Sequence, residues 1–176
     1  MSKLRVIKYG NPILRMKAEK IETIDDRIKQ LAKEMVEIML EEEGIGLAAP
    51  QVAQSIQLLV VDHSLIEEEG KPKAYINPAI IETEGESVME EGCLSLPDIH
   101  EEVNRPDIIK IRYQDITGEI FEERADGLLA RVLQHEIDHL RGVLFIDRIS
   151  SMKRQLLNKK LRAIADAEKE LMAEVA

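Results

Sequence analysis

Apolar residues recur at spacings of three and four in several stretches of the chain, which is the repeat of a helix with one buried face. The first long stretch spans 25–43, where Asp25 is a suitable N-cap and the glycine-containing segment 44–46 is expected to end the helix. A short helix is expected earlier, at Asn11-Pro12, because proline is favoured at the first helical position. The apolar stripe of the long helix consists of Ile28, Leu31, Ala32, Met35, Ile38 and Met39.

Two further helical patterns lie in the C-terminal third of the chain. The first follows Asp126, a candidate cap, and stops before Gly142, which suits the position after a helix C-terminus. This helix is predicted to be central and packed, because its apolar positions are Leu128, Leu129, Val132, Leu133, Ile137 and Leu140. The final helix is predicted from about Ser151 onwards, with Leu156, Leu157, Leu161, Ile164 and Leu171 as its apolar positions.

Between these helices the pattern is that of strands. The apolar run 58–61 is bounded by polar residues and predicts a buried strand. Alternation over 109–113 predicts a half-buried strand, whose partner around Ile120 and Phe121 follows a turn at Thr117-Gly118. A turn is also expected at 77–78, where asparagine precedes proline, between the segments around Tyr75 and Ile80.

The order of elements is helices, then strands, then helices. It predicts an α+β fold in which antiparallel or mixed strands wrap around the helix that begins after Asp126. No internal repeat or low-complexity linker interrupts the chain, so a single domain is expected over 1–176, with 151–176 as a C-terminal helix.

Composition and charge narrow the possible functions. The chain has 176 residues, of which 44% are hydrophobic, and it has no apolar run long enough to cross a membrane. Segment 1–6 lacks the apolar stretch of a signal peptide, and the only cysteine is Cys93, so a reducing cytoplasm is expected. The net charge of −10 argues against binding DNA over a broad surface.

The most informative motif is His135-Glu136-Ile137-Asp138-His139. Histidines four residues apart lie on one helix face with Cβ atoms about 5–6 Å apart, so both rings can reach one metal ion. Glu136 is then held beside the ion, where it can accept a proton from bound water. This spacing therefore predicts a metal site, although it does not specify the reaction.

A catalytic site of this type needs a third protein ligand. Cys93 is the favoured candidate, because Gly92 allows close backbone approach and Pro97 stiffens the following segment. A carboxylate or another histidine could also serve, and His63 and His100 are the competing histidines. His63 ends an apolar strand and is expected to be satisfied there, whereas His100 is expected in a polar loop near the cleft.

The segment Gly44-Ile45-Gly46-Leu47-Ala48-Ala49-Pro50-Gln51 combines small residues with an amide side chain. It permits close approach of the backbone, but it lacks the lysine of a phosphate-binding loop. With Glu91–Pro97 and Gln134–His139, this segment resembles the three signature motifs of the peptide deformylase family, GxGLAAPQ, EGCLS and QHExDHL. The resemblance covers nearly the whole chain and is closest to the bacterial type with a C-terminal helix.

The resemblance implies a metal-dependent hydrolase that removes the formyl group from the N-terminal formyl-methionine of newly synthesised polypeptides. It implies Cys93, His135 and His139 as ligands of one Fe²⁺ ion, for which Zn²⁺, Ni²⁺ or Co²⁺ can substitute. Water on the ion attacks the formyl carbonyl, and Glu136 acts as general base and then as general acid. The implied oxyanion donors are the Gln51 side chain and the Leu94 N–H.

The resemblance also implies the shape of the substrate pocket. Its apolar walls would include Ile45, Leu128 and Val132, and Gly46 with Leu94 would leave room for a formyl group but exclude an acetyl methyl. Arg131 is expected to pack its alkyl stem on this pocket while its charge reaches water.

Three further charged residues near the motifs have expected supporting roles. Glu91 either orients a metal ligand or is a plain surface carboxylate. Asp138 is expected either to be structural or to support a metal ligand without binding the ion, because it points away from the face that carries the two histidines. Arg105 either holds the segment after Cys93 or forms an ordinary surface ion pair.

The implied partners are formyl-methionyl nascent peptides and, through a basic C-terminal helix, the ribosome. The basic residues of that helix are Lys153, Arg154, Lys159, Lys160 and Arg162. Two other functions compete with this interpretation: a zinc endopeptidase, which normally takes its third ligand downstream of the helix, and a metal-dependent redox sensor built on Cys93. The redox sensor would give Glu136 no role.

Overall fold

The structure is a computed structural model of the chain and describes residues 4–176. The predicted lack of a targeting signal rests partly on residues 1–3, which lie outside this range. The described residues form the helices α1 (Asp26–Glu41), α2 (Gly127–Leu140) and α3 (Ser151–Val175). They also form the strands β1 (Gly46–Ala48), β2 (Leu58–Asp62), β3 (Pro72–Glu84), β4 (Ser87–Cys93), β5 (Leu96–Arg105), β6 (Ile108–Gln114) and β7 (Ile120–Ala125). None of the helices over 4–176 is long and apolar enough to cross a membrane.

The strands form two antiparallel sheets that surround α2. One sheet has five strands in the order β1-β2-β3-β6-β7, and the other is the β4–β5 hairpin. Every residue from Ala130 to Leu140 is buried, so α2 is the central helix of the fold. The predicted α+β class is therefore confirmed, with antiparallel rather than mixed sheets.

Helix α1 begins as predicted but ends differently. The Asp25 side chain accepts a hydrogen bond from the Ile28 N–H, which caps the first turn. At the other end, Glu43 takes up the left-handed conformation with a φ of 56°, and the Gly44 N–H donates to the Met39 carbonyl. The residue that turns the chain is thus Glu43 rather than a glycine of segment 44–46.

The turn predicted at 77–78 is wrong, because β3 continues through these residues. Asn77 has a φ of 50°, and the pairing of β3 with β6 shifts register between Ile76 and Ala79. This is a β-bulge, which bends a strand without ending it. The asparagine therefore kinks the strand, and the adjacent proline is accommodated at the bulge.

The β4–β5 hairpin was not predicted as strands. Cys93 is the last residue of β4, and Leu94 and Ser95 form the connection to β5. His100 lies within β5 opposite Gly92, so its predicted place in a polar loop is wrong.

Helix α3 packs on β5 and is also bonded to the N-terminal segment of the chain. Leu157 and Leu161 are buried as predicted, but Leu156 is 79% exposed and Leu171 is 43% exposed. Further along the helix, Glu168 is buried at 1% exposure and hydrogen-bonded to Arg5 and Asn11. The apolar repeat therefore marks the buried face only over the first turns of α3.

Candidate active site

Three donor side chains converge where the end of β4 meets α2. The ligand atoms of Cys93, His135 and His139 lie within 4.8 Å of one another, and Cys93 Sγ is 3.4 Å from His139 Nε2. Both imidazoles are buried, whereas the cysteine is half-buried and faces a cavity. One sulfur and two imidazole nitrogens at these separations suit a single ion such as Zn²⁺ or Fe²⁺. The structure thus brings the predicted ligands together, whereas His63 and His100 are not among them.

The carboxylate of Glu136 lies beside these donors in an unusual environment. The side chain is buried, with the residue 4% exposed, and its Oε2 has no hydrogen-bond partner among residues 4–176. Burial raises the pKa of Glu136 to about 7. A buried carboxyl group with an open acceptor position and a pKa near neutrality is suited to general acid–base chemistry.

The two predicted oxyanion donors lie close to Cys93. Gln51 belongs to the short 3₁₀ helix Ala49–Val52, and its Oε1 accepts from the Ala48 N–H at 2.9 Å. This bond fixes the amide so that Nε2 points towards the site, 3.2 Å from Ser95 Oγ and 3.6 Å from Cys93 Sγ. Leu94 directly follows the cysteine. Its backbone carbonyl accepts a hydrogen bond from Lys8 Nζ, which helps to hold this residue in place.

A cavity of about 500 Å³ opens in front of these groups. Its lining includes the residues predicted for the substrate pocket, with Leu128 partly exposed and Val132 buried. Gly46 forms part of the wall, and a Cβ atom there would lie 2.9 Å from Val132 Cγ1 and 3.0 Å from Glu136 Oε1. The predicted pocket residues Ile45, Gly46, Leu94, Leu128 and Val132 therefore lie around one cavity beside Glu136.

A buried network of charged groups holds His135. Glu91 Oε1 lies 2.9 Å from His135 Nδ1, which leaves Nε2 for a metal ion, so Glu91 is not a surface carboxylate. Arg105 donates to both oxygens of Glu91 and also to Asp138. Burial by itself favours a protonated Glu91, but hydrogen bonds from Arg105 and His135 outweigh it and hold the pKa of this carboxyl well below its usual range. Asp138 has the predicted structural position and also binds Arg148.

The other histidines belong to the fold or to the cavity rim. His63 Nε2 is 2.7 Å from the Tyr75 hydroxyl, so this histidine is satisfied at the end of β2 as predicted. His100 is exposed and lines the cavity across from Gly92.

The roles of Arg131 and Ser95 were not predicted. Arg131 is 5% exposed, and the expectation that its charge reaches water is wrong. Its guanidinium binds Glu91 and backbone carbonyls of the hairpin. The sequence did indicate that Arg131 lies near the site, because it precedes His135 by four residues and therefore lies on the same helix face. Nothing in the spacing of residues along the sequence indicates that Ser95 Oγ accepts a hydrogen bond from the Gln51 amide.

A cysteine sulfur, two imidazoles and a buried carboxylate beside a cavity form an arrangement that suits a metal-dependent hydrolase. Residues 3–155 match the family model described as polypeptide deformylase. A peptide deformylase from Mesorhizobium japonicum is 46% identical over 161 residues, covering 91% of this chain and 92% of the relative. One from a Thermotoga species is 48% identical, covering 92% and 96%.

Solved structures agree with the sequence relatives. The crystal structure of a plant peptide deformylase superposes with a TM-score of 0.91 at 38% identity, covering 98% of this chain and 95% of that chain. A Synechococcus elongatus peptide deformylase in complex with actinonin superposes with a TM-score of 0.84 at 42% identity, covering 91% and 89%. This chain belongs to the peptide deformylase family, a family of metal-dependent enzymes.

Proposed function

We propose that Glu136 is the general base, and then the general acid, with which this chain removes the formyl group from the N-terminal formyl-methionine of newly synthesised polypeptides. The main support is the buried Glu136 carboxylate, whose Oε1 lies 3.9 Å from His135 Nε2 and whose Oε2 has no hydrogen-bond partner among residues 4–176. Cys93, His135 and His139 would hold one divalent ion. When bound, the ion acidifies a water molecule and polarises a carbonyl oxygen.

The remaining steps are carried by two side chains and one backbone N–H of this chain. Glu136 takes a proton from the water while the oxygen atom of the water bonds to the formyl carbon. Glu136 later delivers that proton to the departing amine as the C–N bond breaks. Gln51 Nε2 and the Leu94 N–H donate to the oxyanion that develops on the formyl oxygen. Losing one such donor typically lowers kcat by about 10²–10³-fold.

The wall at Gly46 accounts for formyl selectivity in this proposal. A Cβ atom at Gly46 would lie 2.9 Å from Val132 Cγ1 and 3.0 Å from Glu136 Oε1, so this wall is tightly packed. We expect it to admit a carbonyl carbon that carries only hydrogen and to exclude one that carries a methyl group. Ile45, Leu128 and Val132 would contact the methionine side chain.

The test compares three substrates on the full chain loaded anaerobically with metal: a formyl-methionyl peptide, the matching acetyl-methionyl peptide and an internal peptide bond. We expect release of formate from the first substrate alone. Cleavage of the internal bond would instead support the zinc endopeptidase, against which the upstream position of Cys93 already argues.

We propose Fe²⁺ as the ion used in the cell, with Zn²⁺, Ni²⁺ or Co²⁺ able to substitute. The donor set accepts all four, because one thiolate and two imidazoles suit borderline-soft divalent ions, and availability decides which one is bound. Metal analysis of chain purified without oxygen, followed by activity measurement after loading with each ion separately, tests this assignment.

We also propose that 1–176 acts as one domain in the cytoplasm and that α3 contacts the ribosome. Lys159, Lys160 and Arg162 are exposed on α3, whereas the chain as a whole has a net charge of −10. Truncating the helix would remove Leu157 and Leu161 from the core, so reversing charges is the cleaner test. We expect Lys159→Glu with Lys160→Glu to weaken ribosome co-sedimentation in a salt-sensitive manner, without loss of peptide hydrolysis. Unchanged co-sedimentation would contradict this contact.

A further inference from the structure

Among the buried side chains that link the hairpin carrying Cys93 to the helix carrying the two histidines, Arg131 makes the most contacts with the hairpin backbone. Arg131 lies on α2, one turn before His135, and its guanidinium reaches both strands of the β4–β5 hairpin. Nη2 donates to the Ser87 carbonyl on β4, and Nη1 donates to the Val103 carbonyl on β5, each at 2.8 Å. Nη1 also donates to Glu91 Oε2 at 2.8 Å.

These bonds make Arg131 different from the other arginines of the cluster. Arg105 also binds Glu91, but it lies on the hairpin and reaches α2 through Asp138. Arg148 follows α2 in the chain and binds Asp138 through Nε and Nη2, at 2.6 and 2.7 Å. Of these three arginines, Arg131 is the one that donates directly from α2 to the hairpin backbone.

The position of the hairpin matters because the ligands come from both elements. Cys93 is the last residue of β4, six residues after Ser87, whereas His135 and His139 are on α2. We propose that Arg131 is a positioning residue that sets the spacing between the thiolate and the two imidazoles, and thereby the affinity of the site for its metal ion. This inference rests on the proposed metal site.

The chemistry of the guanidinium fits this task. Its planar array of donors can serve two carbonyls and a carboxylate at once, whereas a lysine ammonium is a point charge that cannot reproduce that geometry. The contacts with Glu91 and Val103 are buried, since Arg131, Glu91 and Val103 are each within a few percent of full burial, so solvent cannot easily replace these partners.

The experiment measures Co²⁺ affinity of the full-length chain by competition with a chelator, together with the thiolate-to-cobalt absorption band. We expect Arg131→Met to bind Co²⁺ about 10–100-fold more weakly than the parent, with a weakened or shifted band. Arg131→Lys should give an intermediate affinity, because one charged donor remains. Arg148→Met is the matched control, and its affinity should stay within about threefold of the parent, since it leaves the hairpin contacts in place.

Circular dichroism establishes that each variant is folded before metal is added, and Arg131→Lys decides the outcome if Arg131→Met does not fold. Parental affinity and an unchanged band in the folded Arg131 variants would overturn the inference, as would an equal loss in Arg148→Met. A parent chain that binds no Co²⁺ would instead refute the proposed metal site, so the two failures are distinguishable.

Discussion

Gly46 shows how one missing methyl group shapes the site. It is the first residue of β1 and lies against Val132 and Glu136, which come from the central helix. Its φ is not in the left-handed region, so the requirement for glycine comes from space rather than from backbone conformation. A side chain here would have to displace either Val132 or Glu136, the proposed general base.

We expect Gly46→Ala to lower kcat/KM for a formyl-methionyl peptide by about 10²-fold, because small displacements of a catalytic group are costly. The matched control is Gly92→Ala in the same cavity. A Cβ atom there would lie 3.3 Å from the ring of His100, an exposed side chain that can shift, so the loss should stay below about threefold. Equal losses in both variants, measured by formate release, would contradict the spatial argument.

The convergence of the candidate metal ligands could be predicted because chemistry restricts both the type and the spacing of such residues. Imidazoles four residues apart lie on one helix face, so the sequence by itself points to His135 and His139 as candidate ligands. The partners of these residues were not predictable in the same way. Glu91 and Arg131 meet across 40 positions of sequence, and no short-range pattern records such a contact.

The bulge in β3 illustrates where local signals mislead. An asparagine before a proline favours a turn, but here the Asn77 side chain is used to fasten the strand. Its Oδ1 accepts from the Ile21 N–H, and its Nδ2 donates to the Ile21 carbonyl and to Gln114 Oε1. Tertiary contacts thus decide between a turn and a bulge, and they are invisible in the sequence.

Two substitutions of Asn77 measure separately how much its side-chain hydrogen bonds and its positive φ contribute to the free energy of unfolding. Both Asn77→Gly and Asn77→Ala should be less stable than the parent by about 1–3 kcal/mol, because the Ile21 backbone groups lose their partners. Asn77→Ala should be the worse of the two by about 1 kcal/mol, since alanine is strained at a positive φ. Urea unfolding followed by circular dichroism measures both differences. Equal stability of the two variants would show that the bulge relaxes.

Periodicity predicted the elements whose apolar residues face one side. Helices α1 and α2 and strand β6 follow such a pattern, and each lies close to its predicted position. Strand β2 was predicted instead from a continuous apolar run, and it is buried along its whole length. The β4–β5 hairpin follows neither pattern, because its residues include Glu90, Glu91, His100 and Glu101, several of which line the cavity or the charged cluster. A functional strand of this kind departs from the alternation that would reveal it.

The two ends of the described chain are tied together through one buried carboxylate. Arg5 donates to both oxygens of Glu168, and Asn11 Nδ2 donates to Oε1. Burial alone would raise the pKa of Glu168, but the hydrogen bonds from Arg5 and Asn11 outweigh burial and lower it. The last helix is therefore anchored to the N-terminal segment by charge, in addition to the packing of Leu157 and Leu161 in the core.

We expect Glu168→Gln to lower the free energy of unfolding at pH 7 by about 1–3 kcal/mol. Because the folded-state pKa is lowered, this stabilisation is complete above the unfolded-state pKa and is lost as pH falls through the folded-state pKa. The difference between parent and variant should therefore shrink on acidification. Glu170→Gln, on the exposed face of the same helix, should change stability by less than about 0.5 kcal/mol. A difference that stays constant in urea titrations from pH 7 to 3 would contradict this role.

In the proposed mechanism proton transfer and metal binding belong to different side chains. Glu136 transfers the proton, and three other side chains hold the metal ion. The most direct measurement compares Glu136→Gln with the parent for bound metal and for formate release from a formyl-methionyl peptide. We expect one equivalent of metal in both proteins and a loss of about 10²–10⁴-fold in kcat for the variant. Retention of parental activity by the metal-loaded variant would contradict this mechanism.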